Sequence, residues 1–157
     1  MKLLGIIEND FVNYKKVSMT LEFPYCSMKC NKEVGRDVCQ NSALLEDLIK
    51  EYEISSIFET YFKDGVSEAI VCQGLEPLDS FEELYEFITR FRAKSNDDIV
   101  IYTGYNKDEV LGYLEELRKF NNIIIKFGRF IPDTEPVFDE VLQVNLASKN
   151  QYAEKIS

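Results

Sequence analysis

The run VSMTLEFPYCSMKCNKEVGRDVC, Val17 to Cys39, carries the signal from which the rest of the chain is read. Val17 to Phe23 predicts a β-strand that Pro24 ends. The loop that follows holds Cys26, Cys30 and Cys39 at the spacing C-x3-C-x8-C. Downstream, Glu68 to Cys72 (EAIVC), Asp98 to Tyr102 (DIVIY) and Asn122 to Lys126 (NIIIK) predict further strands. Val141 to Leu146 offers a last one, in a tail that Pro132 and Pro136 break. Helical stripes lie between these runs. Leu45, Leu48, Ile49 and Tyr52 follow the cap candidates Asn41 and Ser42, and Ile54, Ile57, Phe58, Tyr61 and Phe62 continue helically to a stop at Asp64 and Gly65. Ser80 with Glu83, and Asn106 with Glu109, form capping-box patterns ahead of two more helices.

Strands alternating with helices predict an α/β fold with a parallel sheet and right-handed crossovers. At about 30 residues per βα unit the chain supplies roughly five units, short of the eight that close a full barrel. The expected shape is an open, partial (β/α) barrel with mostly parallel strands, and a doubly wound open sheet is the competitor. No linker-like stretch or internal repeat divides the sequence, so one domain over residues 1–157 is expected. Either architecture binds ligands at the carboxyl ends of its strands, which directs attention to the loops after Phe23, Cys72, Tyr102 and Lys126.

Composition narrows the chemistry. Across 157 residues, 18 Lys and Arg face 28 Asp and Glu for a formal charge of −10, and no basic stretch compensates, which argues against nucleic-acid binding. Apolar residues at 45% indicate a globular chain. There is no histidine, so imidazole metal ligands, Ser/His/Asp or Cys/His nucleophiles and a histidine base are all excluded. The apolar start, Leu3 to Ile7, is too short for a secretory signal, and the longest apolar runs, Ala69 to Cys72 and Ile99 to Tyr102, are far too short to span a bilayer. A cytoplasmic protein without membrane association is expected, and in that compartment cysteines are free thiols or metal ligands rather than disulfides.

Three thiols within one loop, in a chain without imidazole, suit zinc or an iron-sulfur cluster. A structural zinc wants four ligands, leaving Cys72 or a carboxylate as the fourth. A cube held by three cysteines leaves one iron open, which is the mark of a catalytic metal. Reduced cysteines that merely share a loop are the remaining reading, but Lys29, Asn31, Lys32, Glu33, Arg36 and Asp37 make a polar setting that core packing does not explain. Cys72 ends an apolar strand and reads as a core thiol.

Beyond the cysteines, blocks in order resemble the radical S-adenosylmethionine enzymes, and among them the activating proteins of anaerobic ribonucleotide reductase. The opening DFVNYKKVSMTLEFPYC (Asp10 to Cys26) is similar to that family's lead-in strand, and CQN (Cys39 to Asn41) to the close of its cysteine loop. QGLEP (Gln73 to Pro77) resembles its GGEP motif, while IYTGY (Ile101 to Tyr105), IKFGRF (Ile125 to Phe130) and ASKNQ (Ala147 to Gln151) resemble later blocks. Against the family's C-x3-C-x2-C the loop carries six additional residues. Val38 replaces the usual aromatic, Leu75 the second glycine, and Ile124 an acid that binds ribose.

The resemblance implies that Cys26, Cys30 and Cys39 hold three irons of a 4Fe-4S cluster and that S-adenosylmethionine chelates the fourth. It implies that Gln73, Gly74, Leu75 and Glu76 line the methionine amine, that Lys126 pairs with the methionine carboxylate, and that Thr103 and Gly104 border the nucleoside. One electron from the reduced cluster would then cleave S-adenosylmethionine to a 5'-deoxyadenosyl radical, which takes a hydrogen from a backbone glycine of the partner reductase. A flavodoxin-like electron donor fits the same resemblance. Residues alone leave three alternatives open: a different peptide or small-molecule target, a zinc or cluster-bearing interaction module without turnover, and for Glu76 a purely structural place in the turn before Pro77.

Overall fold

The secondary structure runs β1 (Lys2–Leu3), β2 (Gly5–Asp10), β3 (Ser18–Phe23), α1 (Lys29–Val34), β4 (Lys50–Glu51), α2 (Ile54–Asp64), β5 (Ala69–Gly74), α3 (Phe81–Arg92), β6 (Asp98–Tyr102), α4 (Leu111–Leu117), β7 (Ile123–Phe127), β8 (Val137–Asp139), β9 (Val144–Leu146) and β10 (Tyr152–Lys155). Short 3-10 turns occupy Ser42–Glu46, Pro77–Ser80 and Lys107–Glu109. This is a computed structural model, and it describes residues 1–157 apart from the side chain of Asp64.

A six-stranded sheet in the order β10-β7-β6-β5-β3-β2 organises these elements. Its centre, β3, β5, β6 and β7, is parallel, and antiparallel β2 and β10 form the two edges. The protein is thus mixed α/β with a mostly parallel central sheet. Along the parallel strands the chain order never reverses, so right-handed crossovers place α2, α3 and α4 on one face. A doubly wound sheet requires a reversal, which this order lacks.

Period-two alternation then sorts the side chains. Met19, Leu21, Phe23, Ile70, Cys72, Ile99, Ile101, Ile123, Ile125 and Phe127 join the buried cluster with the helices, whose share includes Ile57, Phe58, Leu84, Phe87, Phe91 and Leu114. Phe58 packs on Phe87 with ring centroids 5.4 Å apart, and Tyr61 meets Phe91 edge-on at 5.2 Å. Ala69, Val71, Val100 and Ile124 point the other way, where Tyr14 and the tail residues Leu142 and Leu146 cover them. That second face is covered only in part. At its carboxyl end the same alternation presents Gln73, Tyr102 and Lys126 to a cavity.

Several local expectations are corrected. The segment 42–52 forms a 3-10 turn and β4 rather than a helix. Leu48 there is 81% exposed, and β4 instead pairs with β1 while the Tyr52 N–H bonds the Met1 carbonyl. The Ser80 capping box is absent: α3 emerges from the Pro77–Ser80 turn, which Glu76 caps by accepting the Leu78 N–H, and Glu83 accepts the Lys2 N–H. The Asn106–Glu109 box does form, but it opens a 3-10 turn ahead of α4. Both edge strands, β2 and β10, lie outside the expected strand set. Among the described residues no helix is long and apolar enough to cross a membrane.

Candidate functional site

The parallel ladder between β3 and β5 builds the site. Its register pairs Phe23 with Gly74, and the zipper continues past the sheet as the Leu75 N–H donates to the Phe23 carbonyl and the Glu76 N–H to the Tyr25 carbonyl. Cys26 therefore leaves β3 alongside Glu76. Gly74 makes the approach possible. Its φ is +95°, and an added Cβ would sit 2.7 Å from the Phe23 amide nitrogen, a distance no side chain accepts.

The cysteine loop folds back on itself rather than hanging free. Met28, at φ 54°, turns its N–H onto Cys26 Sγ at 3.2 Å and starts α1, which carries Cys30. Gly35 ends α1 in the left-handed region, the conformation glycine adopts without cost. Asn31 Oδ1 then accepts the Val38 and Cys39 N–H groups at 3.0 and 3.1 Å. Asn41 Nδ2 donates to the Gly74 carbonyl at 2.7 Å, which ties the end of the loop to the end of β5.

The three thiols thereby line one cavity of about 300 Å³ together with Gln73, Gly74, Leu75, Glu76, Gly104 and Lys126. All four cysteines are unbridged. Cys72 is fully buried on the helix face of β5, one alternation step from Gln73, and does not line the cavity. Thr103 is buried as well but lies behind the cavity wall: its N–H bonds the Lys126 carbonyl and its Oγ1 accepts the Tyr105 N–H. Among the expected site residues it alone stays off the lining.

Glu76 is 4% exposed and accepts the Leu78 N–H at 3.1 Å and the Gly104 N–H at 2.8 Å, and the Thr103 side chain bonds it as well. Burial pushes its carboxyl up to about 7 against the bonds that hold it down. Lys126 Nζ donates to the Gly128 carbonyl at 3.0 Å and lies 5.9 Å from the Tyr102 ring centroid. Burial lowers its ammonium to about 8, while the charges of Glu76 and Cys30 act in the opposite direction. Burial also raises the Cys26 thiol to about 11, with Glu76 and Asp79 adding to the rise, and raises Cys39. A bound metal reverses that balance, because coordination deprotonates a thiol outright.

Three thiols that line one cavity suit a group that binds them at separate points. A cube takes each thiolate at a separate corner and needs only that the sulfurs surround a common space. Here that space is the cavity the three cysteines share.

Sequence reasoning missed the residues that close this space. Asn31 and Asn41 hold the loop, Tyr102 and Phe130 line the cavity, and Gln151 bridges the tail to the Gly128 carbonyl at 3.2 Å. For Tyr102 the signal was present: strand alternation puts it on the face of Lys126, its register partner. Asn41 was legible as a cap candidate and as the end of the CQN block, though not as a tie to Gly74, and Asn31 gave no comparable signal, since its partners are backbone groups that only the fold brings near.

The pattern of the 4Fe-4S single cluster domain family matches residues 15–152, which takes in the cysteine loop, all four parallel strands and the tail. A UPF0496 protein of Arabidopsis thaliana is 24% identical over 117 residues, 72% of this chain. The chain spans 28% of that protein's length. No solved structure matches. With three thiols around one cavity and a family match over most of its length, the chain belongs to the 4Fe-4S single cluster domain family.

Proposed function

We propose that this protein is a radical S-adenosylmethionine activating enzyme that generates a glycyl radical on a partner, anaerobic ribonucleotide reductase. The observation that carries the reading is that Cys26, Cys30 and Cys39 share one cavity with the Gln73–Glu76 strand end and with Lys126. We read the open sheet, with its helices on one face, as a partial barrel of the radical S-adenosylmethionine type.

Cys26, Cys30 and Cys39 would hold the cluster, and no fourth cysteine reaches the cavity. When bound, the reduced cluster supplies one electron that splits S-adenosylmethionine into methionine and a 5'-deoxyadenosyl radical. The chain's own residues bind and orient. Lys126, a cation with little water around it, pairs with a ligand carboxylate, an interaction stronger there than in bulk solvent. Glu76 accepts one N–H on each oxygen and a bond from the Thr103 side chain, which leaves acceptor capacity for a ligand ammonium. Gly104 leaves room beside Glu76 and Cys30: a Cβ there would meet Glu76 Oε2 at 3.6 Å and Cys30 Sγ at 3.8 Å.

The two buried charges also fit a zwitterionic ligand electrostatically. Each is held away from its ordinary ionisation by burial, and each regains a partner when the amino and carboxylate groups of methionine arrive. A protein loop carrying the target glycine then closes the cavity mouth and excludes water. In this reading that glycine would give its Cα hydrogen to the deoxyadenosyl radical, which would leave 5'-deoxyadenosine and a glycyl radical. The electron comes from a one-electron donor such as a flavodoxin.

The test is anaerobic reconstitution, reduction and addition of S-adenosylmethionine, followed by a candidate reductase. Methionine and 5'-deoxyadenosine should form in equal amounts, and electron paramagnetic resonance should show a glycyl radical on the reductase. Cleavage without that radical assigns the protein to another peptide or small molecule. A loaded cluster without cleavage makes it an interaction module.

A further inference from the structure

Arg129 lies outside the cavity lining, yet it connects to the cysteine loop on both sides of Cys30. Its side chain is 6% exposed, and its Nη1 and Nη2 form a fork on Glu109 at 2.7 and 2.6 Å. Glu109 also accepts Lys29 Nζ at 3.1 Å, and Lys29 sits 4.4 Å from the Tyr105 ring centroid. On the other side, Arg129 Nε is 3.1 Å from Glu33 Oε1 in an ion pair that lacks hydrogen-bond alignment. Lys29 and Glu33 belong to α1, which carries Cys30. The backbone of Arg129 is anchored too, because its carbonyl accepts Asn150 Nδ2 at 2.8 Å.

These contacts are unequal. Lys29 and Glu33 are 41% and 59% exposed, and solvent-exposed pairs of this kind contribute little singly. The bidentate fork is different, being short, planar and mostly removed from water at the arginine. It holds Glu109 well below the ordinary carboxylate range, at about 2, and holds the guanidinium raised, first through Glu109 and then through the charges of Glu33 and Cys30. Glu33, which the guanidinium touches, lies three residues beyond Cys30 on α1, about one helical turn away, so the charge sits beside the segment that carries that thiol.

We propose that Arg129 is a positioning residue for the cluster loop: gripped by Glu109, it fixes α1 and places a permanent positive charge near Cys30 that makes the cluster easier to reduce. Reduction adds a negative charge to the cluster, and a nearby cation favours the more negative state. The second half of the proposal rests on the cluster reading above, while the first concerns the bare chain.

The experiment uses the full chain as wild type, Arg129→Gln, Arg129→Lys and Glu109→Gln. Amide hydrogen exchange is read in the metal-free protein, and the midpoint potential is read after anaerobic reconstitution. Arg129→Gln and Glu109→Gln should each speed exchange across residues 27–40 at least tenfold, with Phe81–Arg92 unchanged. Arg129→Gln should also shift the potential negative by a tenfold change in the reduced-to-oxidised ratio, about 59 mV for one electron. Arg129→Lys keeps the charge without the fork, so it should restore the potential and leave exchange fast. Unchanged exchange in both Gln variants overturns the proposal, as does faster exchange spread evenly through Phe81–Arg92. Wild-type protein that takes up no iron sinks the cluster reading instead, and the exchange data still decide whether Arg129 holds the loop.

Discussion

The Asn31 side-chain oxygen accepts the backbone N–H of Cys39 at 3.1 Å and that of Val38 at 3.0 Å. This one amide brings the end of an eight-residue spacer back beside Cys30, its own sequence neighbour. A loop of this length costs little more in closure entropy than a short one, since that cost grows logarithmically, but it needs something to fix its ends. The helix, the left-handed Gly35 and the Asn31 cap supply that constraint.

Asn31→Ala removes the acceptor from two backbone N–H groups. At about 1 kcal/mol per bond, Val38 and Cys39 together lose roughly 2 kcal/mol of restraint, while the Cys39 N–H keeps Asp37 Oδ1 at 3.3 Å. Iron should be lost to a chelator at least tenfold faster than from wild type. Residues 38 and 39 are only half-buried, so water satisfies the freed N–H groups, and the melting temperature of the metal-free protein should move by less than about 3 °C.

Cys72→Ala separates core thiol from ligand. The side chain is fully buried on the helix face of β5, where burial drives its thiol far above the ordinary range. The substitution leaves a small void and should lower stability by about 1–2 kcal/mol in denaturant titration. Iron content should equal wild type. Cys26→Ala, Cys30→Ala or Cys39→Ala should each lose the cluster.

The buried pair of Glu76 and Lys126 predicts a pH dependence. Glu76 ionises near 4.5 unfolded and at about 7 folded, so between those values the native state holds more protons and stability falls as pH rises. Lys126 titrates near 10.5 unfolded and at about 8 folded, so stability rises with pH from about 8 to 10.5. Urea unfolding of the metal-free protein should therefore show the pair at its least favourable between pH 7 and 8. Glu76→Gln should abolish the fall below pH 7, which is on the order of 3 kcal/mol. An unchanged slope in that variant places the titration elsewhere.

Much of this architecture was legible before any coordinates. Asp98–Tyr102 is the same strand in both readings, and β5 and β7 differ from expectation by two residues or fewer at each end, because buried parallel strands are apolar runs with sharp polar borders. The strand over β3 and the three-cysteine loop were equally clear. What failed depended on partners distant in sequence. The stripe Leu45–Tyr52 has helical spacing, but no apolar face waits to receive it, so Leu45, Leu48 and Ile49 remain exposed. The edge strands β2 and β10 exist because β3 and β7 offer open ladders, which their own polar sequences do not announce. Lys126 was legible as a polar residue closing an apolar strand, whereas Asn31, Asn41 and Arg129 act on groups that only folding brings within reach.

Lys126→Met keeps the length of the side chain and removes its charge. The proposed pairing with a ligand carboxylate would be a charge-assisted interaction of about 1.5–3 kcal/mol. S-adenosylmethionine binding to the reconstituted protein, measured by equilibrium dialysis, should weaken by roughly 10- to 100-fold at unchanged iron content. Equal affinity in the variant moves the carboxylate site away from β7.

The central claim is that three thiols hold a cube and leave its fourth iron for S-adenosylmethionine. The most direct test is the electron paramagnetic resonance spectrum of the reduced, reconstituted protein with and without that ligand. The account predicts about four irons per chain and a spectrum that changes shape when S-adenosylmethionine is added. A cluster whose signal is indifferent to saturating ligand, or iron that survives Cys26→Ala, contradicts it.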